Sequence, residues 1–334
     1  MHQALRRTAL FVAALMLAAC DQQAQTSSGP APAPGATTTA KSTTQLVIEA
    51  KFDEAAQFSE GLAAVRIGSK FGYIDTKGET VIAPRFDFAN PFSEGVAAAG
   101  TGSAIGYIDK GGAFVIEPQL DIVDLFSFSE GLAAVRVGDF LGGKWGFIDK
   151  QGKLAIEPQF DSAGPFRDGL AVVAIDRKWG YIDKQGRIVI PMQFALAGSF
   201  SDGLASVRVG DFITGKDGYI DTQGKIAIEP RFDGAFPFSD GLADVRIGEK
   251  YGFVDKQGRL VIEAQFDFAD TFSGGLAAVR VGDEETGKFG YIDTQGRMVI
   301  APQFAFADLF SVSDGLAAVR TGNANTGKFG YIGR

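Results

Sequence analysis

The sequence has almost no histidine or cysteine. Its one histidine is His2 and its one cysteine is Cys20. A disulfide within one chain is therefore impossible, and a histidine-based catalytic triad or zinc site has no candidate residue in the body of the chain. We accordingly expect a protein that is not an enzyme and that carries no metal and no cofactor.

Carboxylates are the remaining acid–base groups that recur, so a glycosidase with an Asp or Glu pair is a minor alternative. Acidic residues outnumber basic ones, 40 against 32, and the formal net charge is −8. Loss of Arg6 and Arg7 with an export signal would bring the charge to −10. This negative charge opposes binding to nucleic acid.

Residues 1–19 predict a lipoprotein signal peptide. Two arginines precede an apolar run too short to span a bilayer, and the run ends in Leu17-Ala18-Ala19-Cys20, which resembles a lipobox. We therefore expect lipid on Cys20 to anchor the mature protein in the bacterial envelope, on the periplasmic side. Asp21 resembles an inner-membrane retention signal and favours the inner over the outer membrane. A secretory signal with an incidental cysteine is the alternative.

A tether and a repeat domain follow the signal. Residues 20–44, the lipidated cysteine and a flexible Ala, Pro, Ser and Thr-rich stretch, show no hydrophobic period. In residues 45–334, eight repeats place a glycine before a Leu-Ala pair or a close variant every 34 to 40 residues, at Gly61, Gly95, Gly131, Gly169, Gly203, Gly241, Gly275 and Gly315. Units of this size bury their apolar faces against neighbouring units, as in solenoids and propellers.

Each repeat predicts three β-strands and no helix, which makes the domain all-β. In the first repeat these strands are 62–67, 71–75 and 80–83. The residues at 75–78, Asp-Thr-Lys-Gly, are those of a type I turn followed by a left-handed glycine.

The repeat resembles the WG repeat, also written KWG, of bacterial proteins. The matching segments are Phe-Ser-Glu-Gly-Leu-Ala, Lys-Trp-Gly-Tyr-Ile-Asp and Val-Ile-x-Pro-x-Phe-Asp, and they cover roughly residues 46–334. We call the tryptophan position the slot; its occupants are Phe71, Ile105, Trp145, Trp179, Asp217, Tyr251, Phe289 and Phe329. The resemblance implies a β-rich interaction module with a poorly defined ligand, and it carries over no catalytic residue.

The ends of the repeat domain favour a closed ring. The domain begins with a third-strand segment, 46–53, that closely matches 260–267, and it ends with a second-strand segment, 328–332, that lacks its third strand. Joining the two ends completes the eighth repeat and removes two sheet edges. We therefore predict a ring-like, propeller-type toroid, with an open β-solenoid as the alternative.

Two sets of phenylalanines recur and predict packing between repeats. The first set is Phe52, Phe86, Phe160, Phe194, Phe232, Phe266 and Phe304, with Leu120 as the exception. The second set is Phe58, Phe92, Phe128, Phe166, Phe200, Phe238 and Phe272, with Val312 as the exception.

The connection between the first and second predicted strands is longer in four repeats, at 138–144, 210–216, 282–288 and 322–328. Insertions in a repeat fold fall on one rim, and loops on a rigid scaffold often carry recognition. The candidate binding residues are the loop-tip residues Phe140, Leu141, Phe212 and Ile213 and the slot residues Trp145 and Trp179. Alternatively, the apolar tips fold back on a neighbouring repeat.

These observations support three hypotheses about function. The first is a membrane-anchored binding scaffold, which we expect to be monomeric, for an envelope protein or a cell-wall polysaccharide. The second is a purely structural spacer of an envelope complex, and the third is the carboxylate glycosidase. Replacing the four longer connections separates the first two, because a spacer keeps its function without them.

Overall fold

The computed structural model describes residues 45–102, 104–118, 122–139, 142–323 and 326–334. The signal peptide, Cys20 and the tether lie outside these residues, and so do Phe140 and Leu141. Leu46–Arg334 form one compact unit whose regular structure is entirely β-strand. Within the described ranges no helix has the length and apolar character needed to cross a membrane.

The strands form eight four-stranded antiparallel sheets, which we call blades 1 to 8 in chain order, and the first strand, β1 (Leu46–Phe52), belongs to blade 8. Blade 1 contains β2 (Glu54–Ala55), β3 (Leu62–Ile67), β4 (Lys70–Asp75) and β5 (Thr80–Phe86), and blade 2 contains β6 (Phe88–Ala89), β7 (Ala97–Thr101), β8 (Ala104–Ile108) and β9 (Phe114–Ile116). Blade 3 contains β10 (Ile122–Leu125), β11 (Ala133–Val137), β12 (Lys144–Ile148) and β13 (Leu154–Phe160), and blade 4 contains β14 (Ser162–Arg167), β15 (Leu170–Ile175), β16 (Lys178–Ile182) and β17 (Ile188–Phe194). Blade 5 contains β18 (Leu196–Ala197), β19 (Leu204–Val209), β20 (Lys216–Asp221) and β21 (Ile226–Phe232), and blade 6 contains β22 (Gly234–Ala235), β23 (Leu242–Ile247), β24 (Lys250–Asp255) and β25 (Leu260–Phe266). Blade 7 contains β26 (Phe268–Ala269), β27 (Leu276–Val281), β28 (Lys288–Asp293) and β29 (Met298–Phe304), and blade 8 contains β30 (Phe306–Ala307), β31 (Leu316–Arg320) and β32 (Phe329–Gly333) together with β1.

The two ends of the domain close the ring. β1 pairs antiparallel with β32, with Leu46 opposite Ile332 and Phe52 opposite Phe329, so blade 8 has the strand order β30-β31-β32-β1. The domain is an eight-bladed β-propeller, and the predicted ring is confirmed. The open solenoid is wrong, because the strand that the last repeat lacks is supplied by the start of the domain.

Each blade has one strand more than the three predicted per repeat. The extra strand comes first and is usually short, as in β2, whose Glu54 and Ala55 lie opposite Arg66 and Val65 of β3. Two residues cannot show the alternation of polar and apolar side chains that marks a strand in a sequence. The three predicted strands are therefore the second, third and fourth strands of a blade.

Neighbouring blades pack through buried aromatic side chains, as predicted. The phenylalanines of both sets are at most 6% exposed. A third-strand aromatic also packs on the second-set phenylalanine of the next blade, with ring centroids 4.9 Å apart for Tyr73 and Phe92 and 4.7 Å apart for Tyr331 and Phe58. Because the second of these contacts joins blade 8 to blade 1, the apolar core is continuous around the ring.

The buried tyrosines of the third strands also bond the next blade. The hydroxyl of Tyr331 donates to the carbonyl of Ala56 at 2.8 Å, and burial raises the pKa of Tyr331. Equivalent bonds at 2.6 to 2.8 Å are made by Tyr73, Tyr107, Tyr181, Tyr219 and Tyr291. Each buried tyrosine hydroxyl thus has a hydrogen-bond acceptor in the next blade, close to the phenylalanine on which the tyrosine ring packs.

The prediction for the second phenylalanine set was wrong at one position. Val312 is 72% exposed, and Phe310 occupies the buried position in blade 8, 4.9 Å from the ring of Tyr291. The reason is a two-residue insertion, Val312-Ser313, between the Phe-Ser pair and the acidic residue that follows it in other repeats. The other exception, Leu120, lies outside the described residues.

The glycine after the slot is required by a close approach of backbones. A Cβ atom on Gly146 would lie 2.5 Å from the carbonyl oxygen of Ile156 in the fourth strand, and one on Gly330 would lie 2.6 Å from that of Ile48. Such distances are too short for any side chain. The glycine of the Trp-Gly dipeptide is therefore required where the backbone of the fourth strand lies close to that of the third.

Asp244 is a buried carboxyl group in the core between blades 6 and 7. Its position holds alanine in five other blades, and its side chain accepts a hydrogen bond from the Thr271 hydroxyl at 3.2 Å. Burial, with a smaller effect of Asp270, raises its pKa well above the usual range. A carboxyl group whose pKa is raised by folding destabilises the folded state when it ionises.

Closure of the ring can be measured by amide hydrogen exchange. β1 and β25 occupy the same position in blades 8 and 6 and differ in sequence only at Lys51 and Gln265. We expect equivalent amides of the two strands to exchange at rates within about tenfold of each other, because both strands are paired along their length. Exchange of β1 at the rate of an unstructured peptide would contradict a closed ring.

Removal of the buried carboxyl should make the protein more stable at high pH. The stability associated with protonated Asp244 is full below pH about 4 and is lost as the pH rises through its raised folded pKa. We therefore expect Asp244→Ala to raise the melting temperature by several degrees at pH about 8 and by less at pH about 5. Ser206→Ala, at the same position of blade 5, is the control, and its effect should not change with pH. An equal effect of Asp244→Ala at both values would show that Asp244 does not titrate in this range.

Candidate binding rim

The strand directions place the connections on two opposite rims. The loop rim carries the connections between second and third strands, such as 68–69, and those between blades, such as Asp87. The turn rim carries the connections between first and second strands, such as 59–61, and the predicted type I turns, such as 75–78, where Gly78 N donates to Asp75 O at 2.9 Å. All four longer connections join a second to a third strand, so they share the loop rim, as predicted.

The longer connections of blades 5 and 7 are held by hydrogen bonds of their own. The Asp211 carboxylate accepts from the backbone N–H groups of Ile213 and Thr214 at 2.8 and 2.7 Å, and from the Thr214 hydroxyl. Asp283 and Thr286 form the same arrangement in blade 7. These side-chain to backbone bonds give a short exposed loop one conformation.

The tip of the blade 5 connection is apolar and exposed. Phe212 is 41% exposed and Ile213 is 72% exposed, so Ile213 does not fold back on a neighbouring blade. An exposed pair of large apolar side chains on a fixed loop is a feature typical of interaction sites. The corresponding tip of blade 3, Phe140 and Leu141, lies outside the described residues, and its binding role stays a prediction.

An ion pair beneath this tip occupies the slot of blade 5. Asp217 accepts two hydrogen bonds from Arg208, at 2.6 and 3.1 Å, and the two side chains are 8% and 11% exposed. Arg208 also donates to the carbonyl oxygen of Phe212 at 3.0 Å. Burial raises the pKa of Asp217, and the charge of Arg208 opposes this shift. The charged occupant of the slot thus connects the core to the loop tip.

In blades 3, 7 and 8 the equivalent arginine lies over the ring of an aromatic slot residue. Arg136 lies 5.8 Å from the Trp145 ring centroid, and Arg320 lies 4.5 Å from that of Phe329. Cross-strand pairing places both partners at the loop-rim end of the blade. Asp217 therefore replaces a cation–π contact by a salt bridge to the same arginine.

The two slot tryptophans differ in accessibility. Trp145 is 7% exposed and its ring centroid lies 5.2 Å from that of Phe126, which makes it part of the core. Trp179 lies opposite Ala174 and is partly buried. Trp179 is therefore the more exposed of the two tryptophans that we predicted as binding residues, and the binding role of both stays a prediction.

Lysine–aspartate pairs link neighbouring blades on the loop rim. They were not predicted from the sequence. Lys70 of blade 1 donates to Asp87 at 2.7 Å, and Asp87 also accepts from Gly102 N of blade 2 at 3.0 Å. Lys328 and Asp53 form the pair that joins blade 8 to blade 1, and Lys328 lowers the pKa of Asp53. A sequence pattern marks these pairs of blades 1, 3, 5 and 6: the lysine precedes the slot, and the aspartate lies 17 residues after the lysine, directly after the phenylalanine of the first set.

The acids of the Phe-Ser-Glu-Gly segments lie on the turn rim. The Glu60 carboxylate accepts from Gly95 N of the next blade at 3.1 Å and pairs with Lys110 at 3.3 Å. These acids do not pair with the second-strand arginines, such as Arg66, because the acid and the arginine lie at opposite ends of the second strand.

Among the described residues, exposed acids without a lysine or arginine partner cluster on the loop rim of blades 5 to 7. The second-to-third-strand connections of these blades carry the exposed acids Asp211, Glu249, Asp283, Glu284 and Glu285. The exposed lysines beside them, Lys216 and Lys250, pair with Asp233 and Asp267. This part of the loop rim is therefore locally acidic.

The described residues hold no group of three or more His, Cys, Asp or Glu side chains that is arranged to bind a metal ion. The carboxylates of both rims are engaged with lysines, arginines or backbone N–H groups in many blades. The described residues of the loop rim offer hydrogen bonds, charge and exposed apolar side chains.

The chain resembles several solved structures at low identity. PorZ, a bacterial surface component of the type-IX secretion system of Porphyromonas gingivalis, is 12% identical over 87% of this chain and 45% of that chain, with a TM-score of 0.43. This chain thus spans about half the length of PorZ. Hsv2 of Kluyveromyces lactis is 9% identical over 85% of this chain and 97% of that chain, with a TM-score of 0.48. The WD40 domain of Neurospora crassa Pan2 is 10% identical over 85% and 89%, with a TM-score of 0.46.

No curated protein matches the chain in sequence. A family model described as a WG containing repeat matches eight segments, at residues 43–71, 71–102, 105–139, 145–179, 179–211, 218–251, 251–284 and 289–323. Because these segments cover most of the repeat domain, this chain belongs to the family of WG repeat proteins.

Proposed function

We propose that this protein is a non-enzymatic binding scaffold, tethered by lipid on Cys20 to a membrane of the bacterial envelope, and that it binds an envelope protein or a cell-wall polymer with its loop rim. The observation that carries the proposal is the exposed apolar tip of blade 5, where Ile213 is 72% exposed on a loop fixed by hydrogen bonds. A tip without a partner would leave this apolar area in water.

The ring supports this function because it keeps the rim rigid. The core between blades is continuous, and the lysine–aspartate pairs fix the connections between blades. A rigid platform with variable loops loses little conformational entropy when it binds. The loops can therefore differ between blades while the scaffold stays the same.

The tether supports a location at a membrane. Leu17-Ala18-Ala19-Cys20 has the pattern of a lipobox, and the residues up to position 44 have the composition of a flexible linker. Such a linker would let either rim of the propeller approach a partner near the bilayer. A spacer role would use the same tether, but it gives no reason for an apolar tip on the rim.

Lipidation can be tested directly. We expect Cys20→Ser to abolish incorporation of an alkyne analogue of palmitate and to move the protein out of the membrane fraction, because the thiol is the acylated group. Asp21→Ser is the matched control: it should retain the label and shift the protein from the inner towards the outer membrane. Label on the Cys20→Ser chain would contradict the assignment of the lipidated residue.

The binding role can be tested by capture from a detergent-solubilised native envelope. We expect the full chain to capture a component that is lost when the four longer connections are each replaced by Gly-Ser, the connection that blade 1 has at 68–69. Replacing only 76–77 of blade 1, on the opposite rim, by Gly-Ser is the control and should leave capture intact. Pretreatment of the extract with protease or with wall-degrading glycosidases identifies the class of the component.

Equal capture by the wild-type chain and by the four-loop variant would contradict a binding rim. If the envelope complex also stayed assembled around the four-loop variant, the spacer hypothesis would replace the binding hypothesis. Turnover of a wall polymer that disappeared on substitution of one or two acids would favour the glycosidase instead.

A further inference from the structure

We infer that blade 5 is the recognition blade, and that its Phe212–Ile213 tip inserts into an apolar pocket of a protein partner whose surrounding surface is basic. This inference rests on the proposed function and deepens it, because it selects a protein over a wall polymer. It also assigns to Arg208 and Asp217 the role of positioning residues beneath the tip.

The loop tips of blades 5 and 7 differ in chemistry although the loops share one design. Both begin with Gly-Asp and end with Thr-Gly, and in both the aspartate accepts hydrogen bonds from the threonine. The two residues between them are Phe212 and Ile213 in blade 5 but Glu284 and Glu285 in blade 7. The turn therefore does not require apolar residues at its tip, and those of blade 5 call for a separate reason.

In blade 5 the second-strand arginine bonds both the loop tip and the slot residue, whereas in blade 7 the equivalent arginine makes a cation–π contact with the slot residue. Arg208 binds the carbonyl oxygen of Phe212, and the same guanidinium donates to Asp217 and to the carbonyl oxygen of Asp233 at 3.1 Å. Asp217 also accepts from Ala235 N at 3.1 Å, so its carboxylate is fixed from two strands. In blade 7 the equivalent arginine, Arg280, lies 5.9 Å from the ring of Phe289.

This network positions the tip before any partner arrives. Arg208 and Asp217 are buried, so their geometry is set by the core and not by solvent. A planar guanidinium with two bonds to one carboxylate has a single orientation, and its third direction holds the Phe212 carbonyl. Loops that are ordered in advance bind with a smaller loss of entropy.

The charge of the rim favours a protein with a basic surface. In blades 5 to 7 the connections carry the exposed acids Asp211, Glu249, Asp283, Glu284 and Glu285, whereas the exposed lysines beside them, Lys216 and Lys250, pair with Asp233 and Asp267. An anionic polymer would be repelled by this rim, and a neutral polysaccharide would gain nothing from its charge. An apolar pocket inside a basic surface complements both features of the rim at once.

The test uses random peptides displayed on phage as the probe and the full-length chain as the target. We expect the selected peptides to combine large apolar residues with Lys or Arg. Their affinity should fall about tenfold or more for the double variant Phe212→Ser and Ile213→Ser, because the inserted side chains are gone. Ile247→Ser, which changes an aliphatic residue of similar exposure on blade 6, is the matched control and should bind as the wild type does.

Two further variants separate charge and positioning. Glu284→Ser with Glu285→Ser should weaken binding severalfold at low salt and reduce its dependence on salt between about 0.05 M and 0.5 M. Asp217→Phe, which gives blade 5 the slot residue of blade 7, should weaken binding and speed amide exchange at 211–214 while exchange in β19 and β20 is unchanged. The loop readout distinguishes positioning from a general loss of stability.

Selection of no peptide, selection of peptides without basic residues, or equal binding to the Phe212→Ser and Ile213→Ser variant would each overturn the inference. None of these outcomes affects envelope capture through the four connections, so the proposed function would stand. If capture failed while tip-dependent basic peptides were still selected, the tip would be a binding site and the envelope function would be wrong.

Discussion

Each blade presents a phenylalanine to one neighbour and receives one from the other, so no blade can bury its aromatic side chains alone. A buried phenylalanine contributes roughly 1.5 to 3 kcal/mol, and this contribution recurs at every contact between blades. An open row of blades would leave both terminal faces in water, including Phe58 on one side and Tyr331 on the other. The propeller closes because β1 pairs with β32. The aromatic ring centroids of Phe58 and Tyr331 then lie 4.7 Å apart.

Once the core lies between blades, the rim connections can vary at little cost to stability. The slot is an example: its side chain lies beside the second-strand arginine in most blades, and either an aromatic ring or a carboxylate can serve as that arginine's partner. In blade 5 Arg208 binds the Asp217 carboxylate and the Phe212 carbonyl oxygen at once. Arg66 and Arg246 also bind a loop carbonyl oxygen, beside an aromatic slot residue, so the buried salt bridge is what distinguishes blade 5.

Periodic features of the fold could be predicted from the sequence, whereas features that depend on register could not. Glycines that recur every 34 to 40 residues predict eight repeats, and the similarity of 46–52 to 260–266 predicts closure. The two-residue first strands have no pattern of their own, and the insertion at Val312 shifts the buried position to Phe310. The partners Arg208 and Asp217 are nine residues apart, and they meet only because the second and third strands pair with that register.

Charges pair between blades on both rims, but some of the described acids of the loop rim stay without an ion-pair partner. On the turn rim, Lys150 pairs with Glu94 of the preceding blade at 3.1 Å, and the same pattern recurs in other blades. On the loop rim, Glu284 and Glu285 form no ion pair within the described residues, so their field extends into solvent. These acids lie on the rim that carries the apolar tip, where the proposed basic partner would bind. Long-range charge raises the rate of encounter, and the apolar side chains then provide the contact that slows release.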